Sequence, residues 1–265
     1  MKMALACLLA LISFSALAIP ALNNLSKEDV EKVGNEFAAN FSHTTVSAPE
    51  TDGLWGAEVG LIGGATASPN LRKIVNSSGG DGSDFKHIYH GGLMGRAHLP
   101  LDFFFEATYF PQREISDVKV QNKTIGAGWN AGGFFGLPLD LAAGINFSSG
   151  DVAFTQNQAG TVTGATKVNV NTKSSIYWIG ASKTFLFFTP YVKVGYAHTQ
   201  AEIDVSNSGN VGIFSYKAAQ NETVDKNGAY LTIGGNLQFF FFKLGFEGTQ
   251  INTVKSLTGK LSLDF

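Results

Sequence analysis

The chain has 265 residues and a formal net charge of −2, with 19 basic against 21 acidic side chains. That balance offers no basic excess for binding nucleic acid. Charged residues make up only 15% while Gly numbers 31, Phe 22 and Pro 7, which suits long strands with one apolar and one polar face better than a heavily charged soluble domain.

Residues 1–18 read as a secretory signal. Lys2 supplies the positive start, an apolar run follows from Met3 to Leu17, and Ala16-Leu17-Ala18 is an A-x-A cleavage pattern. Cys7, the only cysteine, lies inside that signal, so the mature chain is expected to carry neither disulfide nor thiolate chemistry. No later stretch approaches the ~20 apolar residues of a spanning helix. An exported chain of this kind either leaves the membrane entirely or crosses one as a barrel.

Residues 19–52 form a unit of their own, an N-terminal helix and linker. Ser26 is placed to cap a helix over about 26–41, with Glu28 and Asp29 in its first turn. Val30, Val33, Phe37, Ala38 and Phe41 then recur at helical spacing. Thr44 to Asp52, with Pro49, reads as a linker. Three places are open to this helix: inside a barrel as a plug, against its periplasmic mouth, or on the membrane surface.

From Gly53 the period changes to two. The pattern predicts an all-β, antiparallel up-and-down transmembrane β-barrel over 53–265, preceded by that one short amphipathic helix. Its ten strands fall near 53–63, 87–98, 102–112, 118–135, 139–149, 166–183, 190–204, 226–238, 241–251 and 254–265. Twelve strands are the alternative, with the extra pair drawn from 64–86 or 205–227. Short apolar corners at Leu99–Asp102, Leu137–Asp140, Phe185–Pro190 and Phe239–Phe242 mark one end; longer polar segments 64–86, 150–166 and 205–227 mark the other. Short turns are periplasmic in outer-membrane barrels, so both ends of the barrel chain are expected there. Leu139, Leu141, Ala143, Ile145 and Phe147 alternate with Asp140, Ala142, Gly144, Asn146 and Ser148, and Phe242, Leu244 and Phe246 alternate with Lys243, Gly245 and Glu247. A soluble β-domain could share this alternation, but it prefers polar residues at turns. Phe185, Phe187, Phe188 and Phe239–Phe242 instead suit a periplasmic aromatic girdle, joined by Trp55, Phe103 and Phe135.

The polar face places Glu58, Arg96, Glu106, Lys173, Lys193, Lys243, Glu247 and Lys260 in a lumen charge network, together with His90, His98, Asp102 and Asp140. Folding back at Pro100 sets Arg96 opposite Glu106 in one register and His98 opposite Asp102 in another. A turn at Asn252-Thr253 sets Glu247 opposite Thr258, Lys260 opposite Gly245 and Phe246 over Gly259. Such charges either form a structural network filling a narrow barrel or line a polar path for a small solute. In the second case, lysines on later strands would face acids on early ones across the lumen. His87 and His90 point to opposite faces of a strand, and no ligand spacing for a metal appears, so neither metal nor cofactor is expected. A surface hydrolase built on His90 and the Glu114–Asp117 hairpin lacks a recognisable motif, and no enzyme is expected.

These features, namely the signal ending Ala16-Leu17-Ala18, the hairpin repeat and the alternating strand Ser256–Phe265, resemble small bacterial outer-membrane β-barrel proteins. The helix before Glu58-Val59-Gly60-Leu61 is similar to uncharacterised exported barrel families, which carry no assigned reaction. The resemblance implies insertion into outer-membrane lipid by the barrel-assembly machinery, which would read Leu261, Leu263 and Phe265, although Gly259 sits one place from the usual glycine of that signal. The function classes that follow are a structural or surface-interaction barrel, a narrow polar pore, and a carrier of small hydrophobic molecules with the helix as plug.

Overall fold

A computed structural model describes residues 27–50, 55–77, 82–115, 118–131, 138–158, 162–211 and 214–265. The expected signal 1–18, the Ser26 cap and Phe135 lie outside these residues. Helix α1 (Lys27–Asn40) is followed by ten strands: β1 (Gly56–Ala67), β2 (His87–His98), β3 (Phe103–Ile115), β4 (Val118–Asn130), β5 (Asp140–Gln158), β6 (Val162–Ser182), β7 (Phe188–Val211), β8 (Phe214–Phe239), β9 (Phe242–Ile251) and β10 (Val254–Asp264). Each strand pairs antiparallel with the next, and β10 returns to β1 to close the barrel. The seam runs from Glu58 opposite Asp264 to Thr66 opposite Ser256. Ala57 and Phe265 exchange backbone hydrogen bonds at its end. Closure pairs β10 along β1, which answers the exposure a lone terminal strand would suffer.

Alternation sorts the side chains as the pattern predicts. Leu93, Phe105, Ile125, Phe147, Ile233 and Phe246 are exposed on the outer wall, while Thr108, Asn146, Thr232, Lys243 and Glu247 are buried inside. At the short-turn end Phe187 stacks on Phe239 at 5.5 Å and Phe188 on Phe246 at 6.3 Å. Leu186 and Phe240 occupy the tips of these turns with φ of 55° and are almost fully exposed. Pro111, which has no N–H to give a ladder, falls where the β3–β4 register shifts between Phe110 and Arg113.

Two hairpins differ from expectation. Segments 150–166 and 205–227, read as polar loops, continue as paired strands out to Gln158 opposite Gly164 and Val211 opposite Phe214. Gln156-Asn157-Gln158 and Ser206-Asn207-Ser208 put polar residues on both faces, so the apolar–polar alternation that signals a strand is lost. The third polar segment, 64–86, holds the end of β1, helix α2 (Pro69–Ser77) and a 3-10 turn (Gly82–Phe85). Pro69 opens α2, a position where its missing N–H costs nothing.

Candidate functional site

The lumen is not empty. Helix α1 enters at the long-hairpin end and the chain beyond it descends to the short-turn end. The first turn of α1 stays in water, with Lys32 paired to Glu28 at 2.6 Å. Further along, Val33, Ala38 and Phe41 are buried. Phe41 packs with Val152, Val168, Val170, Ala201, Ile203 and Val224, with Phe37 against the cluster's edge. The upper strands turn valine and isoleucine inward because a helix covers them. Close approach needs glycine: a Cβ on Gly150 would stand 2.3 Å from the Phe41 ring, and one on Gly34 would stand 3.1 Å from the Ala201 Cβ. Glu36 is fully buried and accepts hydrogen bonds from the Asn70 and Leu71 backbone N–H groups, at 2.8 and 2.9 Å, at the N-terminus of α2. Burial holds its carboxyl above the ordinary range, against these donors, which favour the anion.

Residues 41–50 are buried throughout. Their contacts follow the strands downward. Asn122 donates to the Phe41 carbonyl at 3.0 Å, and Ser42 donates to Ser174 at 2.7 Å. Thr45 donates to Glu106 at 2.5 Å. The Asn236 amide, turned with its nitrogen toward Val46, bridges the Val46 carbonyl and the Ala48 N–H. Arg96 donates to the Ala48 carbonyl at 3.2 Å, Ser182 to that of Pro49, and Asn130 to that of Glu50 at 2.6 Å. An extended chain inside a protein must have its backbone groups satisfied, and here the wall supplies the partners. The charges close around the same segment. Lys260 contacts Glu58 at 2.5 Å and Ser47 at 2.9 Å. Lys243 lies between Glu50 at 2.9 Å and Asp264 at 3.0 Å. Glu247 accepts from Tyr191 at 2.8 Å, and Asn146 donates to Glu106. Arg96 sits 4.3 Å over the Phe104 ring and Lys193 4.8 Å over that of Trp178.

A model for DUF6588, a family of unknown function, matches residues 75–263, from α2 into the last strand. The chain belongs to this family. No curated protein matches it. Among solved structures it is similar to Ail, the attachment invasion locus protein of Yersinia pestis, at 13% identity over 80% of this chain and 97% of that one, with a TM-score of 0.30. It is also similar to the translocator domain of the autotransporter NalP from Neisseria meningitidis, at 8% identity over 80% and 87%, with a TM-score of 0.42. The toluene transporter TodX of Pseudomonas putida is similar at 10% identity over 86% and 92%, with a TM-score of 0.29. The threaded segment of this DUF6588 member precedes the matched stretch.

Of the residues assigned to the lumen, Glu58, Arg96, Glu106, Lys193, Lys243, Glu247 and Lys260 are buried there. Lys173 is not: it is exposed on the outer wall, between the inward Thr172 and Ser174. It pairs with Ser149 and Gln200, where both faces are polar and parity cannot be read from the residues alone. Arg96 stands opposite Glu106, while His98 stands opposite Phe104 rather than Asp102. The last hairpin has the register read from Asn252-Thr253. Lysines and acids do not form two opposed walls; Lys260 and Lys243 each touch a carboxylate. His90 points inward, stacks on His43 at 4.8 Å, and lies within hydrogen-bonding distance of Asn40 and Thr258. Leu261 and Phe265 are exposed on the outer wall of β10. Sequence reasoning missed the part played by Ser42, Thr44, Thr45, Ser47 and Glu50. Their signal was present: Ser42, Thr44, Thr45 and Ser47 recur in a glycine-free segment 42–50, which at about 3.3 Å per residue reaches at most some 30 Å, the depth of a lumen.

Proposed function

We propose that the chain is an integral outer-membrane β-barrel stoppered by its own N-terminal segment, serving a structural and surface-presenting role and standing closed to solutes. The observation that carries this is the burial and stepwise hydrogen bonding of residues 41–50 across the lumen. The membrane reading rests on the apolar outer wall with its phenylalanine girdle at the short turns, a surface no soluble monomer leaves open to water. Leu186 and Phe240, apolar and exposed at turn tips, suit anchors at the periplasmic membrane interface. The long hairpins β5–β6 and β7–β8 and the open end of α1 then face the cell exterior. Export through a signal over 1–18 and assembly through Leu261, Leu263 and Phe265 complete the reading.

Planar-bilayer recording tests the closure. The intact chain gives no discrete open levels, and deletion of residues 27–48 produces them. Open levels from the intact chain contradict the proposal.

One observation favours a second reading, a carrier of small hydrophobic molecules. β2 and β3 pair only from Leu93–Tyr109 to His98–Phe104, so β2 above Leu93 has no ladder on that side. The side chain of Asn40, on the plug, donates to the Tyr89 carbonyl at this edge at 3.5 Å. A lateral passage into the lumen would lie there. An apolar molecule co-purifying with the barrel, and lost on Leu93→Trp, would support the carrier; a clean barrel would leave the closed one.

A further inference from the structure

Helix α2 has two unlike faces. Ile74 is buried, while Arg72, Lys73 and Asn76 line an open surface concavity of about 560 Å³ that Lys86 and His87 complete from the start of β2. Arg72, Lys73 and Asn76 follow Pro69 at the spacing of a single helix face, so one short helix brings both of its cations to one side. Lys86 and His87 reach the same hollow because the 3-10 turn Gly82–Phe85 folds the chain back beside α2. Ser68 fixes that fold by donating to the Phe85 carbonyl at 2.8 Å. Arg72, Lys73 and Lys86 are all exposed. Glu36 is engaged by the N-terminus of α2.

The place of this hollow narrows its ligand. His87 is the outward position of β2 next beyond Tyr89, and their rings lie 6.5 Å apart. Tyr89 is exposed on the outer wall at the long-hairpin end, a position tyrosine takes at a membrane–water interface. Cations set just beyond such a ring stand at the level of lipid headgroups, where Arg and Lys bind phosphate with charge-assisted hydrogen bonds. We propose that the α2–β2 concavity binds the phosphorylated headgroup of a lipid in the outer leaflet, with Arg72, Lys73 and Lys86 as its phosphate ligands. This rests on the outer-membrane reading above.

The test uses the whole chain in detergent, titrated with a bis-phosphorylated lipid A and followed by native mass spectrometry. Wild type takes up the glycolipid and ignores its dephosphorylated form. The triple variant Arg72→Gln/Lys73→Gln/Lys86→Gln, with heat-modifiable gel mobility retained, binds it roughly a hundredfold more weakly, at about fivefold per cation. Inorganic phosphate at equal concentration does not displace the lipid. Equal uptake of the dephosphorylated form, undiminished binding by the folded triple variant, or displacement by free phosphate each overturns the proposal. Insertion into phosphatidylcholine vesicles, read as protease protection, reports separately on the membrane: a barrel that never inserts ends that reading, whereas an inserted barrel that ignores phosphate ends this one.

Discussion

Lys260 and Glu58 meet at 2.5 Å with both side chains shut off from solvent. Removing one partner of such a pair strands the other charge in a low-dielectric site, at a cost of about 3–5 kcal/mol. Lys260→Met is therefore expected to lower the unfolding midpoint in lipid vesicles markedly, and Glu58→Gln added to it to restore part of the loss. Lys173→Ala, on the outer wall, is expected to change stability by no more than about 0.5 kcal/mol. Equal losses from Lys173→Ala and Lys260→Met would show that the two lysines share one network. Their different fates explain what was legible at this scale. Lys260 lies between Gly259 and Leu261 in a strand with a clean apolar face, so its direction can be read. Lys173 lies among Asn171, Thr172, Ser174 and Ser175, where nothing distinguishes inside from outside.

Helix α1 and the extended segment after it were unequally visible. The helix shows its acidic first turn and its Val33, Phe37, Phe41 spacing, and it forms from Lys27 to Asn40. Ser42–Glu50 has no period, because its side chains meet the wall on all sides and not on one face. A segment surrounded by polar partners looks like a linker until the partners are known. The long hairpins were hidden because their outer halves carry polar residues at successive positions, as in Gln156–Gln158 and Ser206–Ser208, so no apolar face stands out. The threading makes a geometric prediction. In a Cys7→Ser background, Ser42→Cys/Ser174→Cys joins two positions whose hydroxyls lie 2.7 Å apart. That proximity is expected to permit a disulfide between plug and wall, read as an oxidant-dependent mobility shift in the unfolded chain. Absence of the bond in the folded, oxidised double variant would place the segment elsewhere.

The barrel as a whole was the most legible level, because its grammar is repeated in every hairpin. Ten strands, the Ser256–Phe265 closing strand and the register of the last hairpin all follow from alternation and turn spacing, and closure against β1 is found as expected. What alternation could not convey is the course of the chain before β1. The barrel's strands do begin and end at the short-turn side, but α1 begins at the opposite mouth, since the chain crosses the lumen before entering the wall. In the proposed orientation, a helix at the outer mouth and a lumen closed by the chain are one feature seen from two sides. Cysteine accessibility in intact cells tests it most directly. In the Cys7→Ser background, Glu28→Cys is expected to react with a membrane-impermeant maleimide on intact cells, while Lys183→Cys, exposed at the short-turn end, reacts only after the outer membrane is permeabilised. Labelling of Lys183→Cys on intact cells with Glu28→Cys protected until permeabilisation would contradict the threaded barrel.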